Sequence, residues 1–224
     1  SSTTILVNPK KLNVTITPKS KVYDGTNSTT IQSISYEGKV GDDVVSASAT
    51  IFFEDKNVGN DKTVNYVVIL QGTDSVNYEL DTVTINPASI TAKELTVANT
   101  AVKNKTYDGT TAAEYISTPT LVGVVNGDQV TLDGGVPTFS NQNAADSVAV
   151  NLTSFVLLGA DAANYTLTQP AKPTANISKR TLTVSVSPVT INAGQAIPEL
   201  TVEVSGFAAG ESESTLPGFA KPTA

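Results

Sequence analysis

One hexapeptide occurs twice in this 224-residue chain: Lys21-Val22-Tyr23-Asp24-Gly25-Thr26 returns 84 positions later as Lys105-Thr106-Tyr107-Asp108-Gly109-Thr110. This repetition constrains the fold more than any other feature, because each copy must be a complete small structural unit. It extends well beyond the hexapeptide. Gly41-Asp42 matches Gly127-Asp128, and Phe53 and Asn57 match Phe139 and Asn143, at an offset of 86. Gly72-Thr73-Asp74-Ser75-Val76-Asn77-Tyr78 matches Gly159-Ala160-Asp161-Ala162-Ala163-Asn164-Tyr165 at 87, as Ile90 and Leu95 match Ile177 and Leu182. The offset drifts only from 84 to 87, which predicts few insertions, confined to turns.

A third copy opens near Arg180. Leu182-Thr183-Val184 matches Leu95-Thr96-Val97, and Gly206-Phe207-Ala208-Ala209-Gly210-Glu211 stands where Gly123 to Asp128 stood. Tyr-Asp-Gly is missing there, with Asn192-Ala193-Gly194 in roughly its place. No counterpart of the Asn-Tyr segment follows before Ala224, so the expectation is a cut inside a module, its last stretch incompletely packed and mobile. The division expected is a tail or linker at 1–9, modules at 10–92 and 93–179, and the first part of a third module at 180–224.

Composition narrows the chemistry. With no His and no Cys, the usual zinc, haem and nucleophile–base centres are excluded, and no catalytic residue, metal ligand or cofactor is expected. No disulfide argument applies. A net charge of −7 argues against nucleic acid and anionic membranes as partners. No apolar run approaches a membrane span, so no membrane insertion is expected. Neither a signal peptide nor an anchor is visible, and the repetition favours trimming as the reason.

The local pattern is that of strands. Leu12-Asn13-Val14-Thr15-Ile16 alternates apolar and polar, as do Leu95-Thr96-Val97 and Leu182-Thr183-Val184-Ser185-Val186. Such alternation sets one face in a core and the other in water. Further strands are predicted near Val44–Phe53, Thr63–Leu70, Val130–Phe139 and Ala149–Leu158. Asp24-Gly25 and Asn126-Gly127 carry tight-turn signals. No stretch offers three turns of amphipathic helix. The fold class expected is all-β: tandem small β-sandwich modules, Ig-like or alternatively β-grasp-like, in an elongated array. The predicted core is Leu12, Tyr23, Phe53, Val64, Leu70 and Tyr78, with Leu95, Tyr107, Phe139, Val150, Leu158 and Tyr165 as counterparts.

The sequence Lys-x-Tyr-Asp-Gly-Thr, then Gly-Asp, Gly-x-Asp-x-x-Asn-Tyr and a closing Ile-x-x-x-x-Leu-Thr-Val, resembles the YDG domain of bacterial extracellular proteins over residues 10–179. The segment after Lys179, with Ile197-Pro198-Glu199-Leu200 and Val204-Ser205-Gly206-Phe207, resembles the start of the related MBG domain, without that family's usual Tyr-Gly element. The resemblance implies a tandem repeat from a large secreted or surface-anchored bacterial adhesin, and it carries over no catalytic residues.

Several motifs admit a sharper reading beside a structural one. Tyr-Asp-Gly reads as a turn: Asp caps its own backbone, Gly takes the open φ, and Tyr anchors the strand. Asp74-x-x-Asn77-Tyr78 and Asp161-x-x-Asn164-Tyr165 offer calcium one carboxylate each, against six to eight oxygens in a real site. A buried Tyr at a strand corner, its hydroxyl returned to the backbone, explains them better. A Lys–Asn isopeptide crosslink would need Lys21 or Lys105 neutral in an apolar setting beside Asn57, Asn65, Asn143 or Asn151, and the sequence offers no such setting. The sequons at Asn13, Asn27, Asn151, Asn164 and Asn176 are assigned no function.

Three function classes follow. The leading one is a structural stalk, whose partners are neighbouring modules of the same chain. The alternative is a module binding host glycan or matrix protein, for which the unrepeated Tyr36, Tyr66 and Tyr115 are the places to look. An enzyme is not expected: Asp42-Asp43 and Glu54-Asp55 are adjacent pairs, and adjacent strand residues face opposite ways. The expected location is extracellular, on a bacterial surface.

Overall fold

The computed structural model describes residues 5–215, 218 and 220, and within them the chain is all-β. The first repeat contains β1 (Lys10–Pro18), β2 (Lys21–Val22), β3 (Ile31–Glu37), β4 (Ser46–Phe53), β5 (Gly59–Lys62), β6 (Val64–Gln71), β7 (Tyr78–Ile85) and β8 (Ala88–Thr91). The second contains β9 (Lys93–Ala98), β10 (Lys105–Thr106), β11 (Thr120–Val122), β12 (Thr131–Gly134), β13 (Pro137–Phe139), β14 (Ala145–Leu152), β15 (Phe155–Leu158), β16 (Tyr165–Leu167) and β17 (Thr174–Ser178). The chain after the second repeat contributes β18 (Thr183–Val186) and β19 (Val202–Ser205). Short 3-10 turns at Ser75–Asn77 and Ala162–Asn164 lead into β7 and β16.

The alternating segment of each repeat is a central strand. β1 pairs antiparallel with β3 and parallel with β7. Its inward residues Leu12, Val14 and Ile16 are fully buried. Each contributes about 1.5–3 kcal/mol by leaving water. β9 likewise lies between β11 and β16, parallel to β16. The other layer of the first repeat is made of the sheet β2-β8-β5 and the β4-β6 ribbon. In the second repeat Phe139, Val148, Val150, Ala175 and Ile177 form a buried cluster with Val102.

By contact the described chain divides into two compact units. The first takes in the chain through Thr96, with Val122–Thr131 and Leu157–Thr168. The second takes in Val97–Leu121, Leu132–Val156 and the chain from Gln169 on. The second repeat therefore contributes to both units.

The later growth of the offset, from 85 at Asp43/Asp128 to 87 at Gly72/Gly159, has a structural cause that differs from the turn insertions expected. β4 is a continuous strand, but its counterpart is broken into β12 and β13 by Gly134 and Gly135, with φ of +84° and +68°. A Cβ on Gly135 would fall 1.9 Å from the Phe155 ring, so the ring packs directly on bare backbone. The facing strand is interrupted at Thr153-Ser154, where Val136 N donates to Thr153 Oγ1 at 2.8 Å. Each strand of this ribbon has gained a residue at the same level, a paired bulge that leaves the register beyond it intact. The predicted strands at Val130–Phe139 and Ala149–Leu158 are each split for this reason.

The predicted core is buried at Leu12, Tyr23, Phe53, Val64, Tyr78, Leu95, Phe139, Val150 and Tyr165. Leu70 and Tyr107 are half-buried. Leu158 is a correction: it is 50% exposed, because β15 turns Phe155 and Leu157 inward and Val156 and Leu158 outward. The inserted residue makes Leu157 the counterpart of Leu70. The expectation for the last stretch falls in part on residues outside those described.

Candidate functional site

The hexapeptide closes on itself around its lysine. β2 runs parallel to β8, and Tyr23 N donates to Thr91 O at 2.8 Å, which turns Tyr23 inward and leaves Val22 outside. Asp24 Oδ1 then accepts from Thr26 N at 2.9 Å and Thr26 Oγ1 at 2.8 Å. Gly25, at φ +81°, lets the chain reverse. Lys21 Nζ spans the turn, donating to Asp24 Oδ1 at 2.7 Å and Thr26 O at 2.8 Å. The second copy repeats each contact: Lys105 reaches Asp108 and Thr110 O, both at 2.8 Å, and Thr110 N reaches Asp108 at 2.9 Å. Partial burial opposes the charge of Asp24, but the hydrogen bonds from Lys21 and Thr26 outweigh it and hold its carboxyl at about 2. Lys105 and the Thr110 amide bring Asp108 to about 2 as well. Both ammonium groups are thus paired to carboxylate and carbonyl oxygens, and neither addresses the asparagines a crosslink would use.

With the turn fixed, the tyrosine points out of its own repeat into the next. Tyr23 is 1% exposed, and its hydroxyl donates to Asp128 Oδ2 at 2.7 Å. Tyr165 donates to the same oxygen at 2.5 Å, and Lys56 Nζ donates to Asp128 Oδ1 at 2.9 Å. Lys56 also pairs with Asp161 at 3.2 Å, while Asp161 Oδ2 accepts from Gln129 N at 2.9 Å. The two tyrosine rings meet edge to face, with centroids 5.3 Å apart. Beside them Asn164 is buried: its Oδ1 accepts from Val58 N at 2.9 Å, and its Nδ2 donates to Asn57 Oδ1 at 3.2 Å. Gly25 lies against Val125, where a Cβ would come within 2.7 Å of Cγ1. All of these residues lie in the first compact unit.

The electrostatics suit a joint. Burial works against ionising Asp128, whose side chain is 4% exposed, yet the bonds from Tyr165, Lys56 and Tyr23 lower its carboxyl below the usual range. Burial, then the Asp128 bond, pushes Tyr165 up to about 12 and raises Tyr23 in the same way. One ionised carboxylate gathers three donors from two repeats. Charge-assisted bonds of this kind are roughly twice as strong as neutral ones.

The loop carrying the acid recurs three times. Asp43 N bonds Val40 O at 3.1 Å, Asp128 N bonds Val125 O at 3.1 Å, and Glu211 N bonds Ala208 O at 3.0 Å. Tyr78 accepts from Val40 N at 2.9 Å and donates to Asp43 at 2.6 Å, as Tyr165 does with Val125 N (3.0 Å) and Asp128. The counterpart of Asp128 is therefore Asp43, and the match to Asp42 shifts by one residue. In the second compact unit the Tyr107 hydroxyl donates to Glu211, and Gly109 stands beside Ala208, repeating the joint.

The remaining sequence candidates separate. The tyrosine hydroxyls of the Asn-Tyr segments do return to backbone, as expected, but their carboxylate partners were not anticipated. Asp74 and Asp161 use an oxygen each to cap the amides of Val44 and Gln129. Among the described residues no three His, Cys, Asp or Glu side chains gather in a metal-holding group. Asp43 turns to Tyr78 and Asp42 to solvent; Asp55 pairs with Lys62 at 2.8 Å, away from Glu54. Tyr36 accepts from Ala47 N at 3.1 Å and Tyr115 donates to Gly135 O, so both hydroxyls are engaged; Tyr66 is 45% exposed. The sequence signal for the joint was a buried, repeated tyrosine, whose hydroxyl demands a partner.

Residues 8–85 and 91–175 each match the family model described as the YDG domain. No curated protein and no solved structure matches the chain.

Proposed function

Because the chain belongs to the YDG domain family, we propose that it is a structural repeat region of a secreted or surface-displayed bacterial adhesin, spacing a distal binding domain from the cell. In this reading residues 180–224 begin a related MBG-type module, and the chain performs no reaction. One observation carries it. Repeated polar residues are consumed in joining repeats: Tyr23 of the first bonds Asp128 of the second and Asn57 bonds Asn164, with the unrepeated Lys56 adding a further bond to Asp128. A joint tied by an ionised carboxylate and a buried amide resists bending, which a spacer requires.

Small-angle scattering tests this directly. A collapsed chain of this length would have a radius of gyration of about 17 Å. The spacer requires a value well above that, and a value near 17 Å sinks it. A second reading, binding of host glycan or matrix protein, draws on Tyr66, which is 45% exposed on β6. It predicts a glycan-array or matrix-panel signal abolished by Tyr66→Ala, and an array without signal retires it.

A further inference from the structure

Asn126-Gly127 is the single Asn-Gly pair in the 224-residue sequence, and it forms the tip of the loop that delivers the carboxylate of the first joint. Asp128 N donates to Val125 O at 3.1 Å, closing a four-residue turn with Gly127 at φ +91°. Asn126 and Gly127 are both exposed, and among the described residues neither the Asn126 carboxamide nor the Gly127 amide makes a hydrogen bond. A Cβ at Gly127 would meet nothing within 4 Å, so the space around the pair is open. Both ends of the turn are pinned to one oxygen: the Tyr165 hydroxyl accepts from Val125 N at 3.0 Å and donates to Asp128 Oδ2 at 2.5 Å. The equivalent loops, Val40-Gly41-Asp42-Asp43 and Ala208-Ala209-Gly210-Glu211, contain no asparagine.

We propose that Asn126 is a spontaneous modification site, and that its conversion to isoaspartate loosens the joint. Asparagine is a labile residue, and a following glycine has no side chain to shield the attacking amide. Gly127 N loses its proton to solvent and bonds to Asn126 Cγ; the Cγ–Nδ2 bond breaks, and Nδ2 takes up a proton and leaves as ammonia. Water then opens the succinimide. Attack at Cγ yields aspartate, and attack at the former backbone carbonyl yields isoaspartate, whose main chain runs through Cβ and Cγ. The net change is one ammonia lost for one water gained. Isoaspartate sets an extra backbone atom between Val125 and Asp128, so the Tyr165 hydroxyl no longer holds both ends of the turn. The new carboxylate stands two residues from Asp128, where like charge works against its ionisation. The acids that precede glycine do not compete. Asp24 and Asp108 are tied to Lys21 and Lys105, and Asp133-Gly134 lies inside β12. The inference goes beyond the spacer reading and needs only the joint.

The test is to age the 224-residue chain in mildly alkaline, ammonia-free buffer beside a synthetic peptide copying residues 124–130. Peptide mapping by mass spectrometry, with an isoaspartate-specific methyltransferase, then reads the product at each asparagine. Asn126 should convert ahead of every other asparagine in the chain. An intact Asn126 after the peptide has converted fully overturns the site, as does faster conversion elsewhere. The isoaspartate form, separated by ion exchange, is then compared with the unaged chain by amide hydrogen exchange. Loss of the Tyr165 bond should speed exchange at Val125 about fivefold or more, while the amides of β1 keep their protection. Asn126→Asp adds the same charge without the extra backbone atom, and its Val125 exchange should stay close to that of the parent. Asn126→Gln, which reacts far more slowly through a larger ring, should pass through the ageing unchanged. Unaltered exchange at Val125 in the isoaspartate form would remove the effect on the joint, and equal acceleration in Asn126→Asp would assign it to charge and overturn the lengthened turn. Scattering does not enter either arm, so the outcome is separate from that of the spacer reading.

Discussion

Tyr23→Phe removes one oxygen and almost nothing else, so it isolates the joint. The ring keeps its place between Lys56 and Tyr165, and the apolar burial is unchanged. What is lost is a 2.7 Å bond to an ionised carboxylate whose side chain is almost wholly buried. Such a bond contributes about 1.5–3 kcal/mol. Asp128 keeps Tyr165 and Lys56, so its charge is not orphaned and the cost falls near the lower end, about 1.5 kcal/mol. Asp128→Ala is the harsher change, because it leaves two buried hydroxyls without their acceptor and Lys56 with Asp161 alone, and it should cost about 3–5 kcal/mol. In that background Tyr23→Phe should cost nothing, giving a coupling energy of about 1.5 kcal/mol in the double-mutant cycle. Urea unfolding read from amide resonances of the first compact unit measures all four species, with Tyr66→Phe as the surface control. Additivity of the two changes to within about 0.5 kcal/mol would show that the hydroxyl and the carboxylate do not act together, and would falsify the joint.

The two Tyr-Asp-Gly glycines should respond unequally to alanine. Both have φ near +80°, costing about 1–2 kcal/mol for any L side chain, but only Gly25→Ala also drives a Cβ to 2.7 Å from Val125; Gly109→Ala meets Ala208 at an ordinary 3.7 Å. Denaturation midpoints should rank Gly25→Ala as the more damaging, and equal losses would contradict the packing described. At low pH, Asp24 and Asp108 have carboxyls lowered to about 2 in the folded chain, so their contribution is present above pH 4 and is lost as pH falls toward 2. Both are about half exposed, so solvent screening keeps the effect small, well under 1 kcal/mol each. Asp24→Asn should flatten part of the urea-midpoint slope between pH 4 and 2, and an unchanged slope would count against the lysine-spanned turn. At high pH the sign reverses: Tyr165 is raised to about 12, so its contribution persists below pH 10 and is lost as pH climbs through 12. Ultraviolet titration should show part of the tyrosinate signal arriving only near pH 12, and that part should vanish in Tyr165→Phe.

What the sequence made legible was whatever is local. The alternation of Leu12 to Ile16 predicted β1, and Asp24-Gly25 predicted the turn, because strand faces and turn geometry are set by neighbours in the chain. Tyr23 and Tyr165 were readable as buried. That Tyr23 bonds Asp128, 105 residues away, was not, since no local pattern encodes a partner in the next repeat. Lys56 was harder still: its counterpart in the second repeat is Gln142, so repetition gave no hint of it. The paired bulge was hidden as well, because Gly134-Gly135 falls inside the strand predicted near Val130–Phe139 and its matching insertion at Thr153-Ser154 lies across the ribbon rather than beside it in sequence.

The joint has two halves, and they are carried by different parts of a repeat. The donor half is Tyr-Asp-Gly, which projects a hydroxyl forward; the acceptor half is the loop that ends in Asp43, Asp128 or Glu211. The third repeat keeps the acceptor, with Glu211 in place, but has Asn192-Ala193-Gly194 where the donor belongs. It is therefore built to receive this joint and not to extend it. The motif marks a direction along the chain. A hydroxyl and a carboxylate that must come from successive repeats also penalise misregistered pairing, since a repeat joined out of order would bury Asp128 without Tyr23.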